Sequence, residues 1–298
     1  MTGEPWLGLL LGSQRRTLSG GALYAAVEAE AAAAVAGGVN VLVAPEHLHA
    51  EPYAMLRPWP LLATLRGRLD GELATVGSVI AGISSLPQTL GDLMTVRAVG
   101  NGRAGAALAA GYRPDEFAAV GRDIADRFTL RAHLREALVG AGQWTWSAAA
   151  NERAARRAVE AGAAWYGAPT LADRDAAAIA RAVGGTAVLR RDVLLGEDDA
   201  DLRARWEQWV APKYGAYASW GYAPDGSAHV VAGTASAVAE NLNALIAAAR
   251  PAGVVLRLCW PEMGAGAALG HVNAFVDDVV PALELTAVNV AGHGTRRN

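Results

Sequence analysis

The sequence predicts a single (β/α)₈ barrel, an α/β fold in which eight parallel strands close into a cylinder covered by helices. Short apolar runs that suit buried strands alternate with longer segments of helical period along most of the chain. Eight such units can be counted, which favours a closed barrel over an open sheet. The length of 298 residues suits one barrel, and no linker or composition shift marks a second domain.

The first four units are well separated in the sequence. A helix over Ala22–Ala36 follows the first strand, keeps apolar residues on one face, and is ended by Gly37 and Gly38. Shorter helices are predicted near Leu61–Leu65 and over Gly91–Val99. The strands of these units are predicted at Trp6–Leu11, Val39–Ala44, Leu73–Ile80 and Arg103–Ala109.

The fourth unit ends with a long helix around Asp123–Val139, and the last four units follow it. Their strands are predicted at Trp144–Ser147, Ala163–Tyr166, Ala187–Leu194 and Val254–Cys259, and a helix over Ala267–Leu283 closes the barrel. The barrel domain is predicted to span residues 1–285, and the tail 286–298 is expected to be mobile.

Composition excludes several classes of function. Hydrophobic residues make up 52% of the chain and charged residues 18%, which suits a large buried core. A net charge of -3 gives no overall positive electrostatic field that would attract nucleic acid. No apolar run reaches the roughly 18 residues needed to cross a membrane. The single cysteine, Cys259, rules out an intramolecular disulfide and a thiolate metal cluster. A cytoplasmic protein without membrane or nucleic-acid partners is expected.

The active site of such a barrel lies at the carboxyl ends of the strands. There, His47 is the main catalytic candidate, because histidine exchanges protons near neutral pH, and Glu46 beside it could bias its charge. The alternative is that both residues only finish a strand. Other polar residues in these loops are Ser84, Ser85, Tyr112, Arg113, Asp115, Glu116, Ser147, Asn151, Glu197, Asp198 and Glu262.

Two loops are candidates for holding a phosphate. Ser147 precedes AAANERAARR, where a helix N-terminus and Arg153 could face an anion, although Ser147 or Asn151 would also serve as an ordinary cap. The rival is PEMGAGAALG after the last strand. The histidines lack metal-ligand spacing, so no metal site is expected. An aromatic series is interpreted as packing: Trp206, Trp209, Tyr214, Tyr217 and Trp220.

An ordered set of motifs between Val39 and Asp123 resembles the bacterial-luciferase-like family of flavin-dependent oxidoreductases. The segments are VLVAPEH, PWPLLATL, ELATVGSVIAGISSLP and GNGRAGAALAAGYRPDEFAAVGRD. Weaker agreement continues through WSAAANERAARRA, YGAYASWG, AGTASAVAENL and LRLCWPEM. The likeness therefore covers most of the chain.

The resemblance implies a luciferase-like barrel that binds FMN, supplied reduced by a separate reductase, or a deazaflavin coenzyme. It implies an oxygen-dependent monooxygenase acting on a small organic molecule, with paired barrels as a homodimer or heterodimer. His47 matches the family's active-site histidine. The implied cofactor-binding positions are Ser78, Val79 and Ile80 at the end of strand three, Ala109, Ser147 and Arg153.

The chain also departs from the family pattern. Ala107 and Ala109 replace a frequent Gly-x-Gly pair, and Ala110 stands where some members have a phosphate-side arginine. The usual insertion before the last strands is shortened, which predicts a reduced or missing lid. Three functions therefore stay open: an FMN-dependent monooxygenase, a deazaflavin-dependent hydride-transfer enzyme, and a non-catalytic partner subunit.

Overall fold

The structure is a computed structural model that describes residues 5–69, 73–100, 103–221 and 230–284. Within these ranges, eight parallel strands close into a barrel, as the sequence predicts. Going round the barrel, the strands are β1 (Trp6–Leu10), β3 (Val41–Ala44), β5 (Ala74–Ile80), β6 (Ala104–Ala109), β7 (Trp144–Ala149), β8 (Ala164–Gly167), β9 (Ala187–Leu195) and β11 (Gly253–Arg257).

Three further strands lie outside the predicted set. The two-residue strands β2 (Gln14–Arg15) and β4 (Ala54–Met55) pair with each other in antiparallel fashion. The strand β10 (Val230–Gly233) pairs with the carboxyl half of β9 outside the closed barrel. The two-residue strands β2 and β4 are too short to show a strand pattern in sequence.

Helices surround the barrel. Before β7 they are α1 (Gly20–Ala36), α2 (Pro58–Arg68), α3 (Leu86–Val99), α4 (Pro114–Ala119) and α5 (Arg127–Gly140). After β7 they are α6 (Glu152–Glu160), α7 (Asp173–Val183), α8 (Asp199–Arg205), α9 (Ala211–Ser219), α10 (Ala235–Ala249) and α11 (Ala265–Ala274). A π-helical turn at Trp206–Val210 joins α8 to α9. The predicted tail, residues 286–298, lies outside the described residues.

The barrel interior changes from apolar at the amino ends of the strands to charged at their carboxyl ends. Trp6 stacks on Trp146 with ring centroids 5.4 Å apart near the amino ends. Gly253 permits this arrangement, because a β-carbon there would overlap the Trp6 ring. Val188 of β9 points into the apolar interior. Because side chains along a strand point alternately to its two faces, Arg190, two residues later, also points inward. The carboxyl ends are therefore the part of the barrel equipped for chemistry.

Candidate active site

His47 lies in the loop after β3, at the carboxyl end of the barrel. Its Nδ1 is 3.2 Å from Glu116 Oε1, and its Nε2 is 3.2 Å from the Tyr112 hydroxyl. Only 11% of the His47 side chain is exposed, and the Glu116 side chain is fully buried. The Trp220 ring packs against the imidazole with a centroid distance of 5.6 Å. His47 is therefore held between a carboxylate and a phenol.

Glu116 belongs to the first turn of α4 and fixes the loop that carries His47. Its Oε1 accepts hydrogen bonds from the backbone N–H groups of Leu48, at 2.6 Å, and His49, at 3.2 Å. Burial alone would raise the pKa of Glu116, but its contacts with His47 and the two backbone donors outweigh burial and lower it.

Burial also lowers the pKa of His47, although Glu116 opposes the shift. The neutral imidazole donates its Nδ1–H to Glu116 and accepts the Tyr112 O–H at Nε2, an assignment that follows from the hydrogen-bond network. The site therefore contains a Tyr112–His47–Glu116 chain along which a proton can move.

Glu46 serves a different part of the site. Its Oε2 accepts a hydrogen bond from the backbone N–H of Ile80 at 2.7 Å, and its Oε1 lies 3.3 Å from Arg57 Nη2. Burial raises the pKa of Glu46 to about 7. The carboxylate on His47 is thus Glu116, which corrects the expectation that Glu46 beside it would play this part. Glu46 instead positions the end of β5.

A buried cluster of charges fills the top of the barrel. Arg190 pairs with Asp192 of the same strand at 3.0 Å, and Arg257 of β11 lies 3.5 Å from the same carboxylate. Arg257 Nη2 also donates to the Tyr217 hydroxyl at 3.0 Å. Because two arginines share one aspartate, this cluster carries an excess of positive charge.

Helix α9 covers part of the barrel mouth. Lys213 is fully buried there, and its Nζ donates to Gln14 Oε1 at 2.6 Å and lies 4.1 Å from the centre of the Tyr217 ring. Arg113 lies 4.5 Å from the centre of the Trp220 ring, just after the helix. The mouth therefore has at least a partial cover, formed by α9. The interpretation of Tyr217 and Trp220 as packing alone missed their place over His47 and the charged cluster.

The side of the mouth above β5–β8, called the slot below, carries small side chains. Ser78, Ala109 and Ala148 are only partly buried. Each lies two residues after an interior residue of its strand, so its side chain also points into the barrel. The Tyr166 hydroxyl on β8 is buried and has no hydrogen-bond partner among the described residues. These features fit a flat ring system, because the small side chains leave room for it and the hydroxyl offers it a hydrogen bond.

An arginine contacts one of these small residues. Arg131 of α5 reaches the carboxyl end of β7, where it donates to the carbonyl of Ala148. Burial and the nearby charges of Arg135 and Arg157 lower the pKa of Arg131. Its buried Nε has no partner among the described residues. Such a group of arginines attracts phosphate, so the residues present fit both ends of a flavin mononucleotide.

The four predicted cofactor positions near β5 and β6 divide between two roles. Ser78 and Ala109 line the slot, and Ala109 is the register partner of Ile80. Val79 is fully buried in the core that contacts the helices, and the Ile80 N–H is bonded to Glu46.

The two predicted cofactor positions near α6, Ser147 and Arg153, do not face the slot. Ser147 is buried on the face of β7 opposite to Trp146, and the strand continues past it to Ala149 instead of ending there. Asn151 caps the helix by accepting a hydrogen bond from Ala154 N–H at 2.9 Å. Arg153 is exposed on the outer surface of α6. Arg131 is better placed than Arg153 to meet an anion at the mouth.

In the rival phosphate loop after β11, the acidic residue Glu262 is engaged in other contacts. Glu262 pairs with Arg16 at 2.8 Å and accepts a hydrogen bond from the Tyr53 hydroxyl at 3.2 Å. Gly264 caps α11 through its backbone alone.

Sequence reasoning missed several residues of the site, although signals for some were present. Lys213 is the only lysine in the chain, and Tyr217 follows it by four positions, the spacing that places two side chains on one helix face. The charged run Arg190–Asp192 inside an apolar strand was a further signal. Arg131 gave none, because it lies within an ordinary amphipathic helix.

No helix among the described residues is long and apolar enough to cross a membrane. The described part of the chain also contains no group of three or more His, Cys, Asp or Glu side chains placed to hold a metal ion.

Comparison with solved structures identifies the fold. A monooxygenase from Streptomyces bottropensis matches with a TM-score of 0.75 at 15% identity, covering 93% of this chain and 99% of that one. The oxygenating constituent of 3,6-diketocamphane monooxygenase from Pseudomonas putida, in complex with FMN, has a TM-score of 0.73 at 13% identity and coverage of 94% and 99%. The coenzyme F420 dependent tetrahydromethanopterin reductase from Methanopyrus kandleri has a TM-score of 0.66 at 11% identity and coverage of 94% and 100%.

No protein-family model matches the chain, and no curated protein matches it at a significant level. The structural similarity extends over nearly the whole of each chain, whereas the sequence identity is low. The chain therefore has the luciferase-like (β/α)₈ barrel fold that its sequence predicts.

Proposed function

We propose that this protein is a flavin-dependent monooxygenase that uses reduced FMN and oxygen to oxidise a small organic substrate. The observation that carries the proposal is the Tyr112–His47–Glu116 hydrogen-bonded chain beside a slot lined by small side chains. Barrels of the same fold include monooxygenases, one of them solved with FMN. The fold similarity supports the reaction class and leaves the substrate open.

FMN supplies the oxygen chemistry when it is bound. Ser78, Ala109 and Ala148 would line its ring, and the Tyr166 hydroxyl would donate a hydrogen bond to it. The Ile80 amide, fixed by Glu46, sets the end of β5 against the ring, with Val79 packed behind it. Arg131 would hold the phosphate; Ser147 and Arg153 are secondary candidates for that role.

His47 acts in this proposal as the acid–base group of the site. Its Nε2 accepts the hydrogen bond of the Tyr112 hydroxyl and can take up a proton, while Glu116 fixes the ring and stabilises the protonated imidazole when it forms. Trp220 covers the imidazole and limits the access of water.

A second cofactor is supported by a specific similarity. The reductase from Methanopyrus kandleri uses coenzyme F420, a deazaflavin, on the same barrel. A deazaflavin in the same slot would give a hydride-transfer enzyme, and the protein residues named above would bind it in the same way. A flavin reductase, a homodimer or heterodimer with a related barrel, and a cytoplasmic location remain part of the proposal.

The test is an anaerobic titration of the purified protein with reduced FMN, followed by calorimetry and then by oxygen uptake. We expect saturable binding at micromolar concentrations, reduced at least tenfold by Arg131→Met. His47→Asn should retain binding and lose oxygen-dependent turnover, whereas His133→Asn, on the exposed face of α5, serves as the matched control. Binding of the deazaflavin alone would favour the hydride-transfer enzyme, and binding of neither would favour a non-catalytic partner subunit.

A further inference from the structure

Lys213 is an unusual residue for this chain. The chain has 26 Lys and Arg residues, of which 25 are arginine, and its one lysine is fully buried. Gln14 accepts one of its hydrogen bonds, and none of the described carboxylates forms an ion pair with it. An arginine would supply a permanent charge with more donors, whereas a buried lysine can release its proton near neutral pH. Lys213 therefore gives the site a compact cation whose charge depends on pH.

The surroundings of Lys213 connect it to Tyr217. Its Nζ lies 4.1 Å from the ring centre of Tyr217, 4.9 Å from that of Trp220 and 5.1 Å from that of Tyr53. Lys213 and Tyr217 are four residues apart on α9, so both point from the same helix face into the mouth. The Tyr217 hydroxyl also accepts a hydrogen bond from Arg257 at 3.0 Å.

The charges around this pair change the proton affinity of both residues. Burial lowers the pKa of Lys213 to about 8, and Arg257 and Arg190 add to this effect, while Tyr217 opposes it. Burial would raise the pKa of Tyr217, but the charges of Arg257, Lys213 and Arg190 outweigh it and bring the pKa to about 7.

Groups from every neighbouring element contribute to this balance. Asp192 of β9 opposes the cations, and Tyr112 and Glu116 face the same space from the β6 side. The other charged or titratable groups nearby are His47 after β3, Arg113 before α4 and Tyr214 on α9. The cations outnumber the carboxylates in contact with Tyr217, so an anion is stabilised at its hydroxyl.

We propose that Lys213 and Tyr217 form the general-base pair of this site, and that Tyr217 accepts a proton from the hydroxyl group of a phenolic or enolic substrate. The substrate O–H bond breaks, an O–H bond forms on Tyr217, and no electrons are transferred in this step. The substrate anion is held by Lys213, Arg257 and Arg190. Tyr217 is partly exposed, so a substrate can reach it.

The substrate class follows from the need for a base. A carboxylic acid is already ionised at neutral pH and would need no proton acceptor, whereas a phenol or enol would. The anion of a phenol or enol is electron-rich at carbon and is therefore ready for oxidation. This part of the inference rests on the proposed monooxygenase function.

The first experiment measures tyrosinate formation in the full chain by ultraviolet absorbance against pH, without any flavin. We expect one tyrosine to ionise with a midpoint near pH 7, far below the usual value of about 10. Tyr217→Phe should remove this step, and Tyr24→Phe, on α1, should retain it as the matched control. Absence of any tyrosinate below about pH 9 would overturn the proposal.

The second experiment concerns the lysine. In nuclear magnetic resonance with isotope-labelled lysine, the wild-type chain gives one side-chain ammonium signal, which should titrate near pH 8. This measurement uses the wild-type protein and therefore does not require any variant to fold. Lys213→Met should raise the pH midpoint of tyrosinate formation by about one unit or more, which is a tenfold rise in proton affinity. Lys213→Arg keeps the positive charge and should bring the midpoint most of the way back to the wild-type value. A merely structural lysine would leave the tyrosinate midpoint unchanged in both variants, and that result would refute the pair.

The third experiment tests the substrate class with 4-nitrophenol as the probe. At a pH where free 4-nitrophenol is mostly neutral, the protein should turn it into the yellow nitrophenolate. This colour should be at least tenfold weaker with Lys213→Met, and 4-nitroanisole, which lacks the hydroxyl, should bind at least tenfold less tightly. Equal binding of both probes, or binding of 4-nitrophenol in its neutral form, would refute recognition of an acidic hydroxyl. None of these readouts uses FMN, so a failed FMN titration and a failed base pair are distinguishable.

Discussion

Glu46→Gln is expected to stabilise the protein at neutral pH, although Glu46 makes hydrogen bonds in the fold. The carboxyl is 1% exposed in the side chain, and burial raises its pKa from an ordinary value of 4.5 to about 7. Glutamine keeps an oxygen that can accept the Ile80 N–H and carries no charge to bury. The substitution therefore removes the desolvation penalty and keeps the contact that positions β5.

The magnitude follows from linkage between protonation and folding. Because the folded-state pKa is raised, the stability contributed by Glu46 is fully present below about pH 4.5 and is lost as the pH rises through about 7. Each tenfold difference in proton affinity is worth about 1.4 kcal/mol, so the loss amounts to about 3 kcal/mol above neutral pH. For a chain of 298 residues this corresponds to a rise in melting temperature of about 5 °C in the variant.

The assay is denaturant unfolding of wild type and variant at several pH values from 4.5 to 8. The difference in unfolding free energy should be near zero at the acid end and about 3 kcal/mol in favour of the variant at pH 8. Glu116→Gln is the matched control of opposite sign. The pKa of Glu116 is lowered, so that variant should be less stable at pH 8, with a deficit that shrinks on acidification. Destabilisation by Glu46→Gln at pH 8 would show that the ionised Glu46 carboxylate is stabilised, not penalised, by its surroundings in the folded state, and it would refute the reasoning.

Three further predictions concern the frame of the barrel. Gly82→Ala should destabilise by about 2 kcal/mol or more in thermal unfolding, because its β-carbon would overlap the Phe117 ring, and wild-type stability would contradict this packing. His271 is buried, accepts a hydrogen bond from Leu195 N–H and has a pKa lowered to about 4. Because the folded-state pKa is lowered, the stability that His271 contributes is lost as the pH falls from about 6.5. His271→Gln should therefore make the free energy of unfolding, measured in denaturant, fall less steeply with acid than it does in the wild type. Trp165→Phe removes a buried indole hydrogen bond and should cost about 2 kcal/mol in denaturant unfolding.

The sequence alone determined the barrel and the end of it that carries chemistry. Eight apolar runs were visible because strands buried on both faces need continuous apolar residues, and the spacing between them left room for a helix each. His47 was identifiable for the same reason, since a residue that directly follows a buried strand must lie at the carboxyl end. Local pattern is sufficient for such conclusions.

The tertiary structure decided which side chains meet. The carboxylate on His47 comes from a position 69 residues away, and the adjacent Glu46 bonds to β5 instead. Lys213 reaches Gln14 across 199 residues. Contacts of this kind depend on the register of the strands and on how α9 lies over the mouth, and neither is encoded in local periodicity. The sequence thus determined where the chemistry lies, and long-range packing decided which acids and bases perform it.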